Sequence, residues 1–227
     1  ILFTSDSKNP KKITIAVNAG HGTKGGEKLR TLCHPDGTRK VTGGTNAAGV
    51  TTALAVSSGM TFKDGTKEAT VTLEMGHIFA KKLLQAGYDV LLIRDGEDVQ
   101  LDNVARTVLA NNKADAHIAL HWDATEKDKG AFFMSVPDSL KRMEPVASHW
   151  ESHEKLGESL ISGLKGKGVK IFSKGSMDMD LTQTSYSTVP SVDIELGDKV
   201  SDHSEKQLNL LGDALVDGVN KYYGFAS

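Results

Sequence analysis

The chain is poor in the features that mark several classes of protein. It has one cysteine, Cys33, among 227 residues, so no intrachain disulfide framework is available to it. Basic and acidic residues nearly balance, with a formal net charge of −2, which argues against nucleic acid as a partner. No apolar run approaches the roughly 20 residues that span a bilayer, so the sequence predicts no membrane span.

The amino-terminal residues also lack a recognisable targeting signal. The stretch ILFTSDSKNPKK has no charged segment followed by an apolar core, so no signal peptide is predicted. Because the sequence starts at Ile1 and not at methionine, we expect it to be a piece of a longer precursor.

Six short stretches have the composition of strands, and most are continuous apolar runs typical of a largely parallel, buried sheet. They are Lys12–Val17, Tyr88–Ile93, His117–His121, Ala131–Val136, Val169–Phe172 and Ser191–Leu196. Helical spacing of apolar residues occurs between them, at Thr66–Gln85, Asp102–Asn112, Ser152–Leu164 and His203–Tyr222. This alternation predicts one α/β domain over residues 1–227, with a twisted, mostly parallel sheet of about six strands and helices on both faces.

The segment Thr31–Gly65 fits neither pattern. It is rich in Gly, Thr, Ser and Ala, and a structureless span of this length is uncommon inside a domain unless it is functional. We interpret it as a long insertion after the first strand, with a short hairpin of its own. A lid, an inhibitory segment and a wall of a substrate groove are the three roles that fit such an insertion.

Three predicted strands end in residues that can perform chemistry. The first runs into NAGHG and delivers His21 between two glycines, the third ends at His121, and the last carries Glu195. Glu68 lies in the first turn of the helix after the insertion. Because ligands bind beyond the carboxyl ends of parallel strands, we expect these side chains at one edge of the sheet. Two imidazoles and one carboxylate suit Zn²⁺ with water as the fourth ligand, and the remaining carboxylate can transfer protons.

Four stretches carry a resemblance to a known family: NAGHG (18–22), KEATVTLEMGHIFAKKLLQAGYDVLLIR (67–94), NVARTVLANNKADAHIALHWDA (103–124) and VPSVDIELG (189–197). In this order they resemble the zinc-dependent N-acetylmuramoyl-L-alanine amidases of the third amidase family, which cleave peptidoglycan. The resemblance implies one Zn²⁺ ion bound by His21, Glu68 and His121, with Glu195 as the catalytic acid/base. It implies cleavage of the amide between the lactyl group of N-acetylmuramic acid and L-alanine of the stem peptide.

The same resemblance implies where and with what the protein works. Peptidoglycan is the expected partner, and the protein is expected outside the cell or at the bacterial cell wall. A bacterial autolysin and a phage lysin both fit this description. We expect a monomer, flanked by wall-binding modules in the full-length protein.

The chain departs from the family pattern at three places. Asn18 stands where the family usually has aspartate, and Trp122 and Asp123 follow His121 where small or polar residues are common. After Gly197 the usual FLSN is replaced by DKVS. None of these departures removes a residue of the implied metal centre.

Other residues compete for some of these roles. His117 has the strand parity of His121, but four residues of strand separate the two by roughly 13 Å, too far for one ion. Asp193 has the parity of Glu195 and is expected deeper in its strand. Arg94 and Arg106 stand at positions that match the family. For each of them two roles are open, a structural ion-pair partner and a substrate contact.

One further pair of histidines has metal-binding spacing. His149 and His153 stand four residues apart, as in the HExxH zinc peptidases, but Glu151 is at the wrong position between them. We therefore expect a solvated helix face here. His34, His77 and His203 are expected to have no catalytic role.

Two other functions use the same fold and residue types. A zinc peptidase that cuts within stem peptides would need the same metal centre and acid/base. A catalytically silent wall-binding module would have no need for Glu195 beside a complete ligand set.

Overall fold

A computed structural model describes residues 1–226, and within this range the chain forms nine strands and five α-helices. The strands are β1 (Leu2–Phe3), β2 (Thr14–Ala19), β3 (Arg30–Leu32), β4 (Thr52–Leu54), β5 (Asp89–Leu92), β6 (Ala116–Asp123), β7 (Ala131–Ser135), β8 (Ile171–Asp178) and β9 (Ser191–Asp198). The helices are α1 (Glu68–Gln85), α2 (Asn103–Lys113), α3 (Val146–Gly166), α4 (Thr182–Tyr186) and α5 (Glu205–Tyr223).

Seven of the strands form one sheet in the order β1-β5-β2-β6-β9-β7-β8. Strands β5, β2, β6 and β9 run parallel, as do β7 and β8, whereas β1 pairs antiparallel with β5, and β7 with β9. The register places Ala19 beside Leu120 on the β2–β6 side and His121 beside Glu195 on the β6–β9 side. The carboxyl ends of β2, β6 and β9 therefore meet at one edge of the sheet.

Apolar layers cover both faces of this sheet. Helices α1, α3 and α5 pack on one face, where Ile118 and Ile194 are fully buried. Helix α2 packs on the other face, where Ala110 contacts Ala16 and Leu91. Full burial of an isoleucine or leucine side chain stabilises the fold by about 1.5–3 kcal/mol relative to leaving it exposed. The predicted α/β fold with helices on both faces is confirmed.

Helix ends follow the capping chemistry expected from the sequence. Asp102 Oδ1 accepts a hydrogen bond of 2.7 Å from the backbone N–H of Ala105 at the start of α2. Gly87 follows α1 with a φ of +93°, a conformation that favours glycine over other residues. Among the helices of residues 1–226, none combines the length and apolar character needed to cross a bilayer.

The structure differs from the sequence prediction at segments without a long apolar run. Strand β8 continues past the predicted end at Phe172 because its last six residues, SKGSMD, lie at the sheet edge, where they pair with β7 and stay partly exposed. Helix α3 begins at Val146, six residues before the predicted start. The two-residue strand β1 and the five-residue helix α4 were not predicted, because elements this short produce no periodic pattern.

The insertion contains the hairpin that was expected of it. Strands β3 and β4 pair antiparallel with Thr31 opposite Ala53, and they form a second, separate two-stranded sheet. The connection between them, 33–51, has no helix or strand.

Candidate metal centre and substrate groove

His21 follows β2 in a turn with unusual backbone geometry. Its φ of +62° lies in the left-handed region, which residues with side chains seldom occupy. The preceding residue, Gly20, leaves room for the His121 ring, because a Cβ atom at this position would overlap that ring. Backbone strain of this kind persists only where the surrounding structure holds it in place. The turn brings the two imidazoles into contact.

Three side chains from distant parts of the chain meet beyond the carboxyl ends of β2 and β6. His21 Nε2 lies 3.0 Å from His121 Nδ1 and 2.9 Å from Glu68 Oε1, and that oxygen lies 3.2 Å from His121 Nδ1. In the part of the chain that the structure describes, this is the one group of three or more His, Cys, Asp or Glu residues close enough to hold a metal ion. Two imidazole nitrogens and a carboxylate oxygen are donors that Zn²⁺ accepts.

The Glu68 carboxylate is fixed by backbone N–H groups on both of its oxygens. Oε2 accepts a hydrogen bond of 2.8 Å from Met60, and Oε1 accepts one of 3.0 Å from Trp122. Burial raises the pKa of Glu68, but hydrogen bonds from His121 and His21 outweigh it and hold the pKa well below its usual range. Glu68 is therefore ionised, which is the form that binds a metal.

The two histidines present different ring nitrogens to Glu68. His21 Nδ1 lies 2.8 Å from the carbonyl oxygen of Ser57, which can only accept, so Nδ1 carries a proton; in the neutral ring that binds a metal, the lone pair is then on Nε2. In His121 it is Nδ1 that faces Glu68. Burial lowers the pKa of His121, but the charges of Asp193 and Glu68 outweigh it and raise the pKa to about 10. A metal cation that binds here must displace this proton.

Two carboxyl groups on β9 face the same centre. Glu195 is the register partner of His121, and Asp193 lies two residues earlier, with Oδ2 3.6 Å from His121 Nε2. Burial raises the pKa of Glu195 well above its usual range; the positive charge of His121 opposes this shift, and the negative charges of Asp193 and Glu68 add to it. Asp193 lies two residues deeper in the strand than Glu195, as the sequence predicts, and its carboxylate still reaches the Nε2 edge of the His121 ring.

Arg94 and Arg106 hold the backbone of the turn that carries His21. Arg94 Nη2 donates to the Gly20 carbonyl at 2.9 Å, and Arg106 Nη2 donates to the His21 carbonyl at 2.7 Å. Arg106 Nη1 also donates to Asn18 Oδ1 at 3.1 Å, so the amide that replaces the family's aspartate accepts from a guanidinium. Within residues 1–226 neither arginine forms an ion pair with a carboxylate, so the ion-pair expectation is wrong for both.

A groove of about 500 Å³ leads to the three donor atoms. The insertion forms one wall, which includes Lys40, Asn46 and Met60. Strands β7 and β8 and helix α4 form the opposite wall, which includes Met134 and Met177. Polar and charged residues make up about half of the lining, and methionine is the most frequent residue type among the rest.

A buried ionic cluster fixes the insertion to the segment before α4. His34 Nε2 lies 2.9 Å from Asp180 Oδ1, Lys40 Nζ lies 3.4 Å from the same oxygen, and the backbone N–H of Val41 donates to Asp180 Oδ2 at 2.7 Å. The side chains of His34, Lys40 and Asp180 are all almost fully buried. Of the three roles that fit the insertion, its observed position is that of a groove wall.

Two histidines that the sequence singled out are buried away from the three donors. His117 is fully buried, and His153 accepts a hydrogen bond of 3.0 Å from the backbone N–H of Ser191 at the start of β9. Burial lowers the pKa of His117 to about 3 and the pKa of His153 to about 4. The predicted solvated face for His149 and His153 is wrong for His153, because α3 packs that residue against β9.

The remaining candidates have local contacts. His77 Nε2 lies 3.0 Å from Asp95 Oδ1 at the surface, and the His203 ring lies 4.2 Å from the Phe62 ring. Cys33 is a buried free thiol, as expected for a lone cysteine in the insertion. The sequence did not predict the contacts that the backbone of the insertion makes with the centre, at Ser57 and Met60. Such contacts cannot be predicted from residue type, because all residues other than proline have the same backbone groups.

Comparison with known proteins places the fold and the family. A family model described as N-acetylmuramoyl-L-alanine amidase matches residues 15–216. The apo form of the N-acetylmuramyl-L-alanine amidase Ami1 from Mycobacterium abscessus has a TM-score of 0.74 at 20% identity, over 95% of this chain and 100% of that one. Ami1 from Mycobacterium smegmatis has a TM-score of 0.75 at 18% identity, over 95% and 98% of the two chains.

A third similar structure is the amidase AmiC2 of Nostoc punctiforme, with a TM-score of 0.66 at 18% identity, over 95% of this chain and 99% of that one. No curated protein matches the chain significantly. At these identities the solved structures show the shared fold, and the family match extends over most of the sequence. The chain belongs to the N-acetylmuramoyl-L-alanine amidase family of peptidoglycan amidases.

Proposed function

We propose that this amidase is a zinc enzyme in which His21 Nε2, Glu68 Oε1 and His121 Nδ1 bind one Zn²⁺ ion. The observation that carries the proposal is the convergence of these three donor atoms. Two imidazoles and one carboxylate with a further open position are the donor set of catalytic zinc sites. Calcium and magnesium prefer oxygen ligands, and this centre offers mainly nitrogen.

Glu195 is the acid/base of the proposed reaction. When bound, Zn²⁺ polarises the scissile carbonyl and activates water for attack. Glu195 accepts a proton from the attacking water and passes it to the amine nitrogen as the C–N bond breaks. Burial supports this role, because a carboxyl group with a raised pKa can both take and return a proton near neutral pH. A general acid/base of this kind contributes on the order of 10²–10⁴ in rate.

The bond cleaved is the amide between the lactyl group of N-acetylmuramic acid and L-alanine of the stem peptide. The groove supports a large substrate, because it has a volume of about 500 Å³ and its lining includes the insertion, β7, β8 and the three donor residues. In this proposal the glycan strand and the stem peptide lie on opposite sides of the centre.

Chelation combined with product analysis tests this function. Removal of zinc from the purified protein should abolish solubilisation of peptidoglycan, and added Zn²⁺ should restore it. Mass spectrometry of the digest should find intact lactyl groups on the glycan and peptides with a free L-alanine amine. Peptide stubs left on muramic acid would identify a zinc peptidase, and no released product at any zinc concentration would identify a silent wall-binding module.

We also propose that the protein acts on the cell wall from outside the cytoplasmic membrane, as an autolysin or a phage lysin. Peptidoglycan lies there, and the family match supports this substrate. One chain supplies every side chain of the centre, which supports a monomer, and wall-binding modules would flank it in a longer protein. Light scattering of the eluting protein measures the oligomeric state, and a dimer mass would contradict the monomer.

A further inference from the structure

His121 has a second polar contact that the three-donor centre does not use. Its Nδ1 faces Glu68 and His21, whereas Nε2, on the other side of the ring, lies 3.6 Å from Asp193 Oδ2. The Asp193 side chain is 15% exposed, and its Oδ1 is buried without a hydrogen-bond partner among residues 1–226. The reaction proposed above gives this carboxylate no task.

We propose that Asp193 is a positioning residue that holds the His121 ring in the orientation and tautomer needed for zinc binding. This inference rests on the proposed zinc function. At 3.6 Å, Oδ2 lies within ion-pair distance of Nε2, and a hydrogen bond between the two atoms requires an approach closer by about 0.4 Å. With Nε2–H donating to Asp193, the lone pair of His121 belongs to Nδ1, the atom that faces the other two donors.

The second histidine of the centre has an equivalent contact. His21 Nδ1 donates to the Ser57 carbonyl at 2.8 Å, and its Nε2 is thereby left free to face Glu68. Each imidazole thus has one nitrogen towards the centre and the other towards an oxygen acceptor outside it. Acceptors in this position fix the ring and increase the basicity of the ligating nitrogen.

The strand register indicates that Asp193 is neither a zinc ligand nor a second acid/base. Asp193 is the register partner of Ala119, whereas Glu195 is the register partner of His121. Asp193 therefore lies two residues further from the carboxyl end of β9 than Glu195. It approaches His121 from the ring edge opposite to Nδ1, so its carboxylate is not among the converging donor atoms.

Zinc affinities of matched variants test the proposal. Zn²⁺ is titrated into the full chain in competition with a chromophoric chelator, for wild type, Asp193→Leu, Asp193→Asn and Asp123→Asn. Asp123 also lines the groove, but its Oδ2 is bonded to Lys129 Nζ at 2.7 Å, so this variant removes a nearby charge without touching a histidine. Thermal unfolding of the zinc-free proteins checks that each variant folds.

We expect Asp193→Leu to weaken zinc binding by about 10–100-fold. Asp193→Asn should lose less, because its amide oxygen can still accept from Nε2–H. Asp123→Asn should stay within about twofold of wild type, because the Asp123 carboxylate is paired with Lys129 and bonded to none of the three donor residues. X-ray absorption at the zinc edge should find the same number of protein ligands in every variant. If Asp193→Leu does not fold, the zinc affinity of Asp193→Asn is compared with that of wild type and Asp123→Asn instead.

The outcomes separate this inference from the function on which it rests. Tight zinc binding by wild type with equal affinity in Asp193→Leu overturns only the role of Asp193. Equal losses in Asp193→Leu and Asp123→Asn overturn it too, because the effect would then be one of charge. A zinc ligand missing from Asp193→Leu would make Asp193 a ligand, and a wild-type protein that binds no zinc contradicts both proposals.

Discussion

His21 Nε2 lies 3.0 Å from His121 Nδ1, although 100 residues separate the two histidines in sequence. Their rings meet edge to face, with an interplanar angle of 88°. Together with Glu68 Oε1, the two nitrogens form a triangle with sides of 2.9–3.2 Å. Every prediction below about activity depends on this geometry.

Glu195→Gln should separate zinc binding from catalysis. The amide is close in size to the carboxyl group but cannot accept the proton of the attacking water, so we expect hydrolysis to fall by at least about 10²-fold. Zinc content should stay at that of wild type, because Glu195 is not one of the converging donors. Release of soluble muropeptides and metal analysis of the same preparation measure both, and wild-type activity in the variant would remove Glu195 from the mechanism.

Gly20→Ala should weaken zinc binding without altering a ligand. A Cβ atom at this position overlaps the His121 ring, so the ring has to move away from His21. We expect zinc affinity to fall by about 10-fold or more. Gly43→Ala is the matched control, because a Cβ atom there meets nothing within 4 Å. Equal zinc affinity in the two variants would show that the close approach of Gly20 to His121 is not required.

The buried histidines should make stability fall in mild acid. The pKa of His117 is about 3 and the pKa of His153 about 4 in the folded protein, against 6.5 for the ordinary group. Between pH 6.5 and about 4 the unfolded chain therefore binds protons that the folded chain does not, and the free energy of unfolding falls as the pH falls. Above pH 6.5 both histidines are neutral in both states, and their contribution is constant.

Denaturant unfolding at pH 7 and pH 5 measures this effect. Each histidine accounts for about 2 kcal/mol of the stability lost between these two values. His117→Leu should reduce the loss by that amount, and so should His153→Gln, even if either variant is less stable at pH 7. An unchanged loss in both variants would mean that other groups cause the acid sensitivity.

Asp180→Asn should loosen the insertion while leaving the central sheet intact. It takes the buried counter-charge from Lys40 and weakens the contact with His34. Breaking a buried ion pair by removing one partner typically costs about 3–5 kcal/mol. Hydrogen exchange should therefore accelerate at the amides of Cys33 and Gly49, which are bonded within the insertion. Asp178→Asn, an exposed change on the same segment, is the control, and equal exchange in both variants would contradict the clamp.

The sequence predicted those parts of the fold that combine apolar runs with clear breaks. Strand β2 and helix α1 could be predicted because each has buried apolar residues at the spacing typical of its element. In both, a glycine or a polar turn then marks the end. The last six residues of β8 were not predicted because they are mostly polar and pair through the backbone at a sheet edge, which needs no run of apolar side chains. The start of α3 was missed because its first turn lies outside the apolar spacing.

The site was predictable as far as it depends on residue type. His21, Glu68, His121 and Glu195 carry the family pattern, and the sheet brings them to one edge. The contacts of the centre with Ser57 and Met60 are made by backbone atoms of the insertion, which has no periodic pattern. Asp193 lies deeper in β9 than Glu195, as predicted, but its closeness to His121 depends on the pairing of β6 with β9, which one strand alone does not reveal.

The position of the ion can be measured in a crystal structure of the zinc-loaded protein, with anomalous data collected on both sides of the zinc edge. We expect one anomalous peak at roughly 2.0–2.2 Å from His21 Nε2, Glu68 Oε1 and His121 Nδ1. A peak at another place, or no peak at this centre from protein saturated with Zn²⁺, would contradict the proposed zinc centre.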